Sequence, residues 1–204
     1  KATISLGTGD TIEAWTYNGQ APGPDLRVRQ GDLVEVTLQN RDISDGVPIH
    51  WHGIIVPNAE DGVPGLTQDA VMPGETYVYR FRATESGTYW YHSHQHSYEQ
   101  VRKGLFGAIM VEPRDPPSGE ISEQIVMAHG WDVAIPAPRD VGTIGTAKTE
   151  RRTIPAGADV YVRLINTDTE AREFVLTGAP FQVAAIDGVD VHEPGMLERV
   201  LMTL

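Results

Sequence analysis

The chain has 204 residues, a formal net charge of −12, 40% hydrophobic residues and no cysteine. That length holds one large domain or two of about 100 residues, and the acidic balance argues against nucleic acid or an anionic membrane as partner, since both select basic surfaces. The missing cysteines exclude disulfides, thiolate metal sites and thiol nucleophiles from these residues, and no apolar run approaches the ~20 residues that span a bilayer.

Helical periodicity is scarce. The 21 glycines and 14 prolines punctuate the chain into short segments, and those segments read as strands. Leu33–Leu38 alternates after the turn Gln30-Gly31-Asp32, and Tyr77–Phe81 follows Pro73-Gly74-Glu75. A short helix is predicted near Tyr98–Lys103, then a strand over Gly107–Val111. Arg114–Gly119 is polar and proline-rich, the composition of a linker. Beyond it, strands are predicted over Glu123–Ala128, Val160–Ile165, Phe174–Leu176, Phe181–Ile186 and Arg199–Leu204. Short strands between turn signals predict a sandwich or barrel. A faint repeat supports two copies of it. Gln30–Val36 with Asn40 and Pro155–Val162 with Asn166 each feed a glycine-containing turn into an alternating strand that ends at asparagine.

The chemistry concentrates in two histidine pairs, His50-Trp51-His52 and His92-Ser93-His94. Side chains two residues apart on a strand share one face. Two such strands side by side would gather four imidazoles, a donor set suited to copper, zinc, nickel or iron. An aromatic core whose histidines bond backbone carbonyls is the structural alternative. His96 reads as outside the shared centre, and His129 and His192 read as structural or exposed.

These motifs sit in a wider pattern. Pro22-Gly23-Pro24, Arg27–Asp32, Ile49–Gly53, Asp61–Gln68, Gly87–His94, Gln100 and Lys103–Gly107 together resemble the amino-terminal cupredoxin domain of the multicopper oxidases, the laccase-like family. Arg163–Asn166 and Pro180–Gly188 are similar to the family's second domain. The resemblance implies an all-β fold: a Greek-key cupredoxin β-sandwich over 1–113, then a second, truncated cupredoxin-like domain over 114–204. It also implies a trinuclear copper cluster, with His50 on the type 2 copper and His52, His92 and His94 on the type 3 pair. Asp61 would help deliver protons, since reducing dioxygen to water consumes protons, whereas Asp-Gly is equally a turn pair. Glu60 beside it reads as solvated.

Half of the cluster ligands and the cysteine-bound type 1 copper are expected outside this chain, in a carboxy-terminal cupredoxin domain or a partner chain. A longer polypeptide is the favoured expectation over a natural half, because a chain ending mid-strand exposes an edge. The implied activity is one-electron oxidation of phenols, aromatic amines or metal ions coupled to four-electron reduction of dioxygen. A non-catalytic copper-binding or structural cupredoxin fragment is the alternative. The resemblance further implies a secreted, periplasmic or cell-surface location and, for shorter members, homotrimers.

Overall fold

The computed structural model describes residues 1–6, 11–116, 121–131 and 151–202. The tail of the predicted linker and the end of the last predicted strand, Thr203-Leu204, lie outside those residues. Eight strands occupy the first half: β1 (Ala2–Ser5), β2 (Thr11–Ala14), β3 (Leu26–Arg29), β4 (Leu33–Gln39), β5 (His50–His52), β6 (Thr76–Arg82), β7 (Gly87–His92) and β8 (Phe106–Glu112). The short helix α1 (Ser97–Arg102) lies where the sequence predicts it.

β3, β8, β7 and β5 form one sheet in that order, with β3 parallel to β8 and the other pairs antiparallel. β4 pairs antiparallel with β6. The inward faces of the two sheets meet in a core of Val34 and Leu38, Tyr79 and Phe81, Trp51, Tyr89 and Tyr91, and Ile109 and Val111. This is the expected β-sandwich.

β8 explains how the second half attaches. Every residue from Phe106 to Val111 is buried, so both faces of this strand are covered. Ile109 and Val111 face the sandwich core. Phe106, Ala108 and Met110 turn the other way, into a second core with Leu6, Ile12, Ala14, Val101, Met127, Trp131 and Ile165.

The second half contributes β9 (Ile121–Ala128) and β10 (Asp159–Asn166), paired in parallel. An ionic patch fastens them to the sandwich. Arg163 reaches Glu123 and Glu112, Arg27 reaches the same two carboxylates, and Arg163 donates to Thr88 Oγ1 in β7 at 2.6 Å.

Two predicted strands change shape. Phe174–Leu176 is displaced to β11 (Arg172–Phe174), which pairs with β16 (Val200–Met202). Phe181–Ile186 is not one strand, because the chain exchanges partners within it. β12 (Phe181–Gln182) pairs with β15 (Met196–Leu197), whereas β13 (Ala185–Ile186) pairs with β14 (Val189–Asp190).

The faint repeat has a physical basis. Gly31 and Gly157 both take positive φ, at 95° and 87°, the conformation that favours glycine. Asn40 and Asn166 are both buried. Asn40 donates to the Ile43 and Val71 carbonyls and accepts from the Ile43 amide. Asn166 donates to the Glu170 carbonyl and accepts from the Asp168 amide. Each asparagine braces the loop that follows its strand.

His129 lies in the second core, stacked on Phe106 at 4.0 Å between ring centroids. Its Nδ1 is 2.8 Å from Thr167 Oγ1. Burial pushes its pKa down to about 3, against the pull of Asp168. An unfolded histidine titrates near pH ~6.5. The unfolded chain therefore binds this proton first, and the stability from neutral His129 is complete above that pH and lost as pH falls toward 3. Urea unfolding of metal-free protein is expected to show a midpoint that drops between pH 7 and 4, with a smaller drop in His129→Gln. Equal drops in the two proteins would contradict this account.

Candidate metal centre

β5 is only three residues long, so its placement relies on contacts outside the ladder. Trp51, fully buried, turns into the sandwich core against Tyr79 and Phe81, with ring centroids at 5.5 and 4.8 Å. His50 and His52 therefore project from the opposite face. Just before the strand, the Ile49 amide donates to Tyr79 Oη at 2.8 Å and Tyr17 Oη donates to the Pro48 carbonyl at 3.1 Å. Burial raises the pKa of both tyrosines, so both remain neutral hydroxyls. From the other side Gly62, at φ 72°, lies against Ile49, where a Cβ would stand 1.8 Å from the carbonyl oxygen.

The β5–β7 register sets His50 opposite His92 and His52 opposite Trp90. The Trp90 ring stacks on His92 at 4.1 Å and on His52 at 4.8 Å. One ligand nitrogen from each of His50, His52 and His92 falls in a group whose members all lie within 4.8 Å of one another. It is the one such group among the described residues.

The hydrogen bonds favour ligand forms of the rings. His50 Nδ1 donates to the Asp61 carbonyl at 2.7 Å, which leaves Nε2 as a lone-pair donor. His92 Nδ1 donates to the Ser93 carbonyl at 2.9 Å, which does the same. His52 Nδ1 faces that freed His92 Nε2 at 3.3 Å, an approach that needs a proton or a cation between the two nitrogens. Burial holds the His92 pKa at about 3, so the ring is neutral and able to ligate. Loss of solvent, then the neighbouring His50, also lowers the pKa of His52. His52 and His92 thus resist protonation and keep lone pairs that a cation could use.

His94 departs from the sequence reading in one respect. β7 ends at His92, so His94 is not on the strand. Past it the Ser93 amide still bonds the Leu105 carbonyl, in register with β8, and Ser93 Oγ donates to Gln100 Oε1 at 2.6 Å. The His94 ring still stands 5.2 Å from His50 and 6.0 Å from His92 by centroid. Gln100 is buried and also donates to the Gly46 carbonyl. It thereby ties the His92–His94 turn to the loop that leads into β5. The sequence singles out Gln100 only as part of a pattern, not for this bracing.

The carboxylates divide differently from expectation. The nearer Asp61 contact to His50 is its backbone carbonyl; its Oδ1 is 3.4 Å from the same Nδ1. Glu60 is not merely solvated, because its Oε2 accepts from the Arg80 amide at 2.8 Å and so fastens this loop to β6. His96 is exposed at the start of α1 with φ 47°, and His192 is exposed in the second half.

The model of the multicopper oxidase family matches residues 1–116. This chain belongs to the multicopper oxidases. It is 45% identical over 125 residues to copper resistance protein A of Escherichia coli, a match that covers 61% of this chain and 20% of that protein. It is 32% identical over 209 residues to Laccase-2 of Botryotinia fuckeliana, covering 96% of this chain and 35% of the laccase. The structure resembles the blue copper oxidase of Nitrosomonas europaea with a TM-score of 0.86 at 29% identity, over 98% of this chain and 69% of that one. The mostly-β fold is the cupredoxin fold of this family. The chain spans a fifth to about a third of the length of the sequence relatives named here.

Gly62→Ala is expected to push Ile49 and the start of β5 out of register. Isothermal titration of the metal-stripped protein with copper(II) should then show binding at least ~10-fold weaker, as when a ligand's support is removed. Undiminished affinity would show that the Gly62 contact does not hold His50 in place.

Proposed function

We propose that this chain is part of a laccase-like oxidase that couples one-electron oxidation of phenols, aromatic amines or metal ions to four-electron reduction of dioxygen to water. The observation that carries this reading is the convergence of His50, His52 and His92 nitrogens within 4.8 Å, with the His94 ring alongside. The donor set fits copper: imidazoles with no competing thiolate, two of them, His50 and His92, with Nδ1 bonded to a carbonyl. In this reading His50 serves a type 2 copper and His52, His92 and His94 a type 3 pair. Bound copper supplies the electron transfer and dioxygen chemistry.

The chain's own residues hold and orient. Tyr79, Tyr17 and Gly62 fix the height of His50, Trp90 walls His52 and His92 from one side, and the Ser93–Gln100 bond anchors the turn that carries His94. The Asp61 carboxylate, close to His50 Nδ1 and about one-third exposed, is suited to carry protons between water and the cluster. Since the sequence contains no cysteine, a type 1 copper and the other cluster ligands come from residues beyond it, in a carboxy-terminal cupredoxin domain or a partner chain. The reading treats 1–113 as a cupredoxin domain and 114–204 as a second, truncated cupredoxin-like domain. It carries with it an exported location, with assembly as a homotrimer among the arrangements open to it. Among the described residues no helix is long and apolar enough to cross a membrane.

The same absence of cysteine favours a second reading, in which these residues bind copper without catalysing oxidation. Full-length protein separates the two. His92→Ala should lower copper content, measured by elemental analysis, with a loss of affinity of about 100-fold or more; unchanged copper content would overturn the ligand assignment. Asp61→Asn should keep its copper and lose about 100-fold in kcat for dioxygen consumption. An unchanged kcat would remove Asp61 from proton delivery, and a copper-loaded wild type that consumes no dioxygen with any phenol, aromatic amine or metal ion would favour the non-catalytic reading.

A further inference from the structure

Helix α1 has six residues, too few to hold its own place. Three consecutive side chains fix it, and each reaches a different part of the molecule. Gln100 accepts from Ser93 Oγ and donates to the Gly46 carbonyl, beside the histidine motifs. Val101 enters the second core with Met127, Trp131 and Ile165. Arg102 crosses to the second half, where its Nη1 donates to Asp168 Oδ1 at 3.4 Å.

Asp168 is a firm anchor. Its side chain is 2% exposed. Its Oδ1 also accepts from the Thr169 amide at 2.9 Å, and its Oδ2 pairs with Arg172. The backbone is held as well: the Asp168 amide donates to Asn166 Oδ1, and the Thr167 amide to the Ala128 carbonyl. Gly130 makes room for the ion pair, since a Cβ there would stand 2.7 Å from Asp168 Oδ2 and 3.0 Å from Arg102 Nη1. The Arg102 guanidinium is steadied in turn by the Tyr98 ring, 5.4 Å away on the same helix. Burial of Val101 is non-directional and leaves the helix free to slide. The bonds at Arg102 and Gln100 are directional and fix where it stops. Only one residue separates them, so the helix cannot move at Arg102 without moving at Gln100.

We propose that the Arg102–Asp168 pair positions the metal face: Asp168 of the second half holds α1, and α1, through the Gln100–Ser93 bond, sets the turn that carries His94. This rests on the reading that His50, His52, His92 and His94 hold a metal. Arg102 and Asp168 are positioning residues, and neither is a ligand. Both halves of the chain therefore take part in building the site.

The test uses full-length protein stripped of metal. Arg102→Met removes the link, and Asp168 keeps Arg172 and the Thr169 amide, so no buried carboxylate is stranded. Hydrogen exchange should quicken about three- to ten-fold at the Ser93 amide, bonded to the Leu105 carbonyl, and at the Leu105 amide, bonded to the Gln100 carbonyl, and less in β4 and β6. Copper(II) affinity, read by isothermal titration, should fall about three- to ten-fold, and Arg102→Lys should recover most of both losses. The route itself is tested in a Ser93→Ala background, where the Gln100 bond is already cut. There Arg102→Met should weaken copper binding by less than about two-fold more. Wild-type exchange at the turn, equal quickening throughout the sandwich, an unchanged copper affinity, no recovery in Arg102→Lys, or a full additional loss in the Ser93→Ala background would each overturn the proposal. His92→Ala, run alongside, tests the underlying reading separately: wild-type copper(II) affinity in that variant would show that the metal centre itself is misassigned.

Discussion

A three-residue strand cannot hold two imidazoles in place by its own ladder, and the candidate centre is organised around that constraint. β5 gains its position from what surrounds it: Trp51 locked in the sandwich core, two tyrosine hydroxyls on the peptide groups just before it, and the Gly62 backbone pressed against Ile49. With β5 fixed, one register, His50 opposite His92, brings the rings together. A slip of one residue would turn the imidazoles into the core and Trp51 out to the metal face. The aromatic core thus sets the spacing of the imidazoles from behind.

The same sheet joins the two halves. β8 is buried on both faces, so its alternate residues serve the sandwich core and the core shared with β9 and β10. The metal face and the second core lie on one side of this sheet. His92 is paired with Phe106, and Phe106 carries the stacked His129. The ionic patch of Arg27, Arg163, Glu112 and Glu123 is partly exposed and adds orientation more than energy.

Much of this was legible in the sequence because it is local. Short apolar runs between turn signals marked β4, β6, β8, β9 and β10, and the two His-x-His motifs pointed to the candidate site. The misses are non-local. The break inside Phe181–Ile186 follows from a change of pairing partner, which no window of sequence reveals. His94 lies just past the strand, in a turn anchored by the Ser93–Gln100 bond to a residue beyond the motif. Glu60 looked solvated because its acceptor role requires the Arg80 amide, twenty positions on.

The parallel pairs have a consequence in time. Leu26 pairs with Ile109 across β3 and β8, and Ile121 with Asp159 across β9 and β10. Such distant closures make a chain slow to fold, because loop entropy is lost before any contact repays it. The two histidine motifs close over a similar stretch of chain, and until β5 pairs with β7 they are tethered ends of a loose loop. Metal arriving early would meet separated imidazoles, free to bind it in wrong combinations. The topology thus favours an order of events in which the polypeptide folds empty and is metallated afterwards.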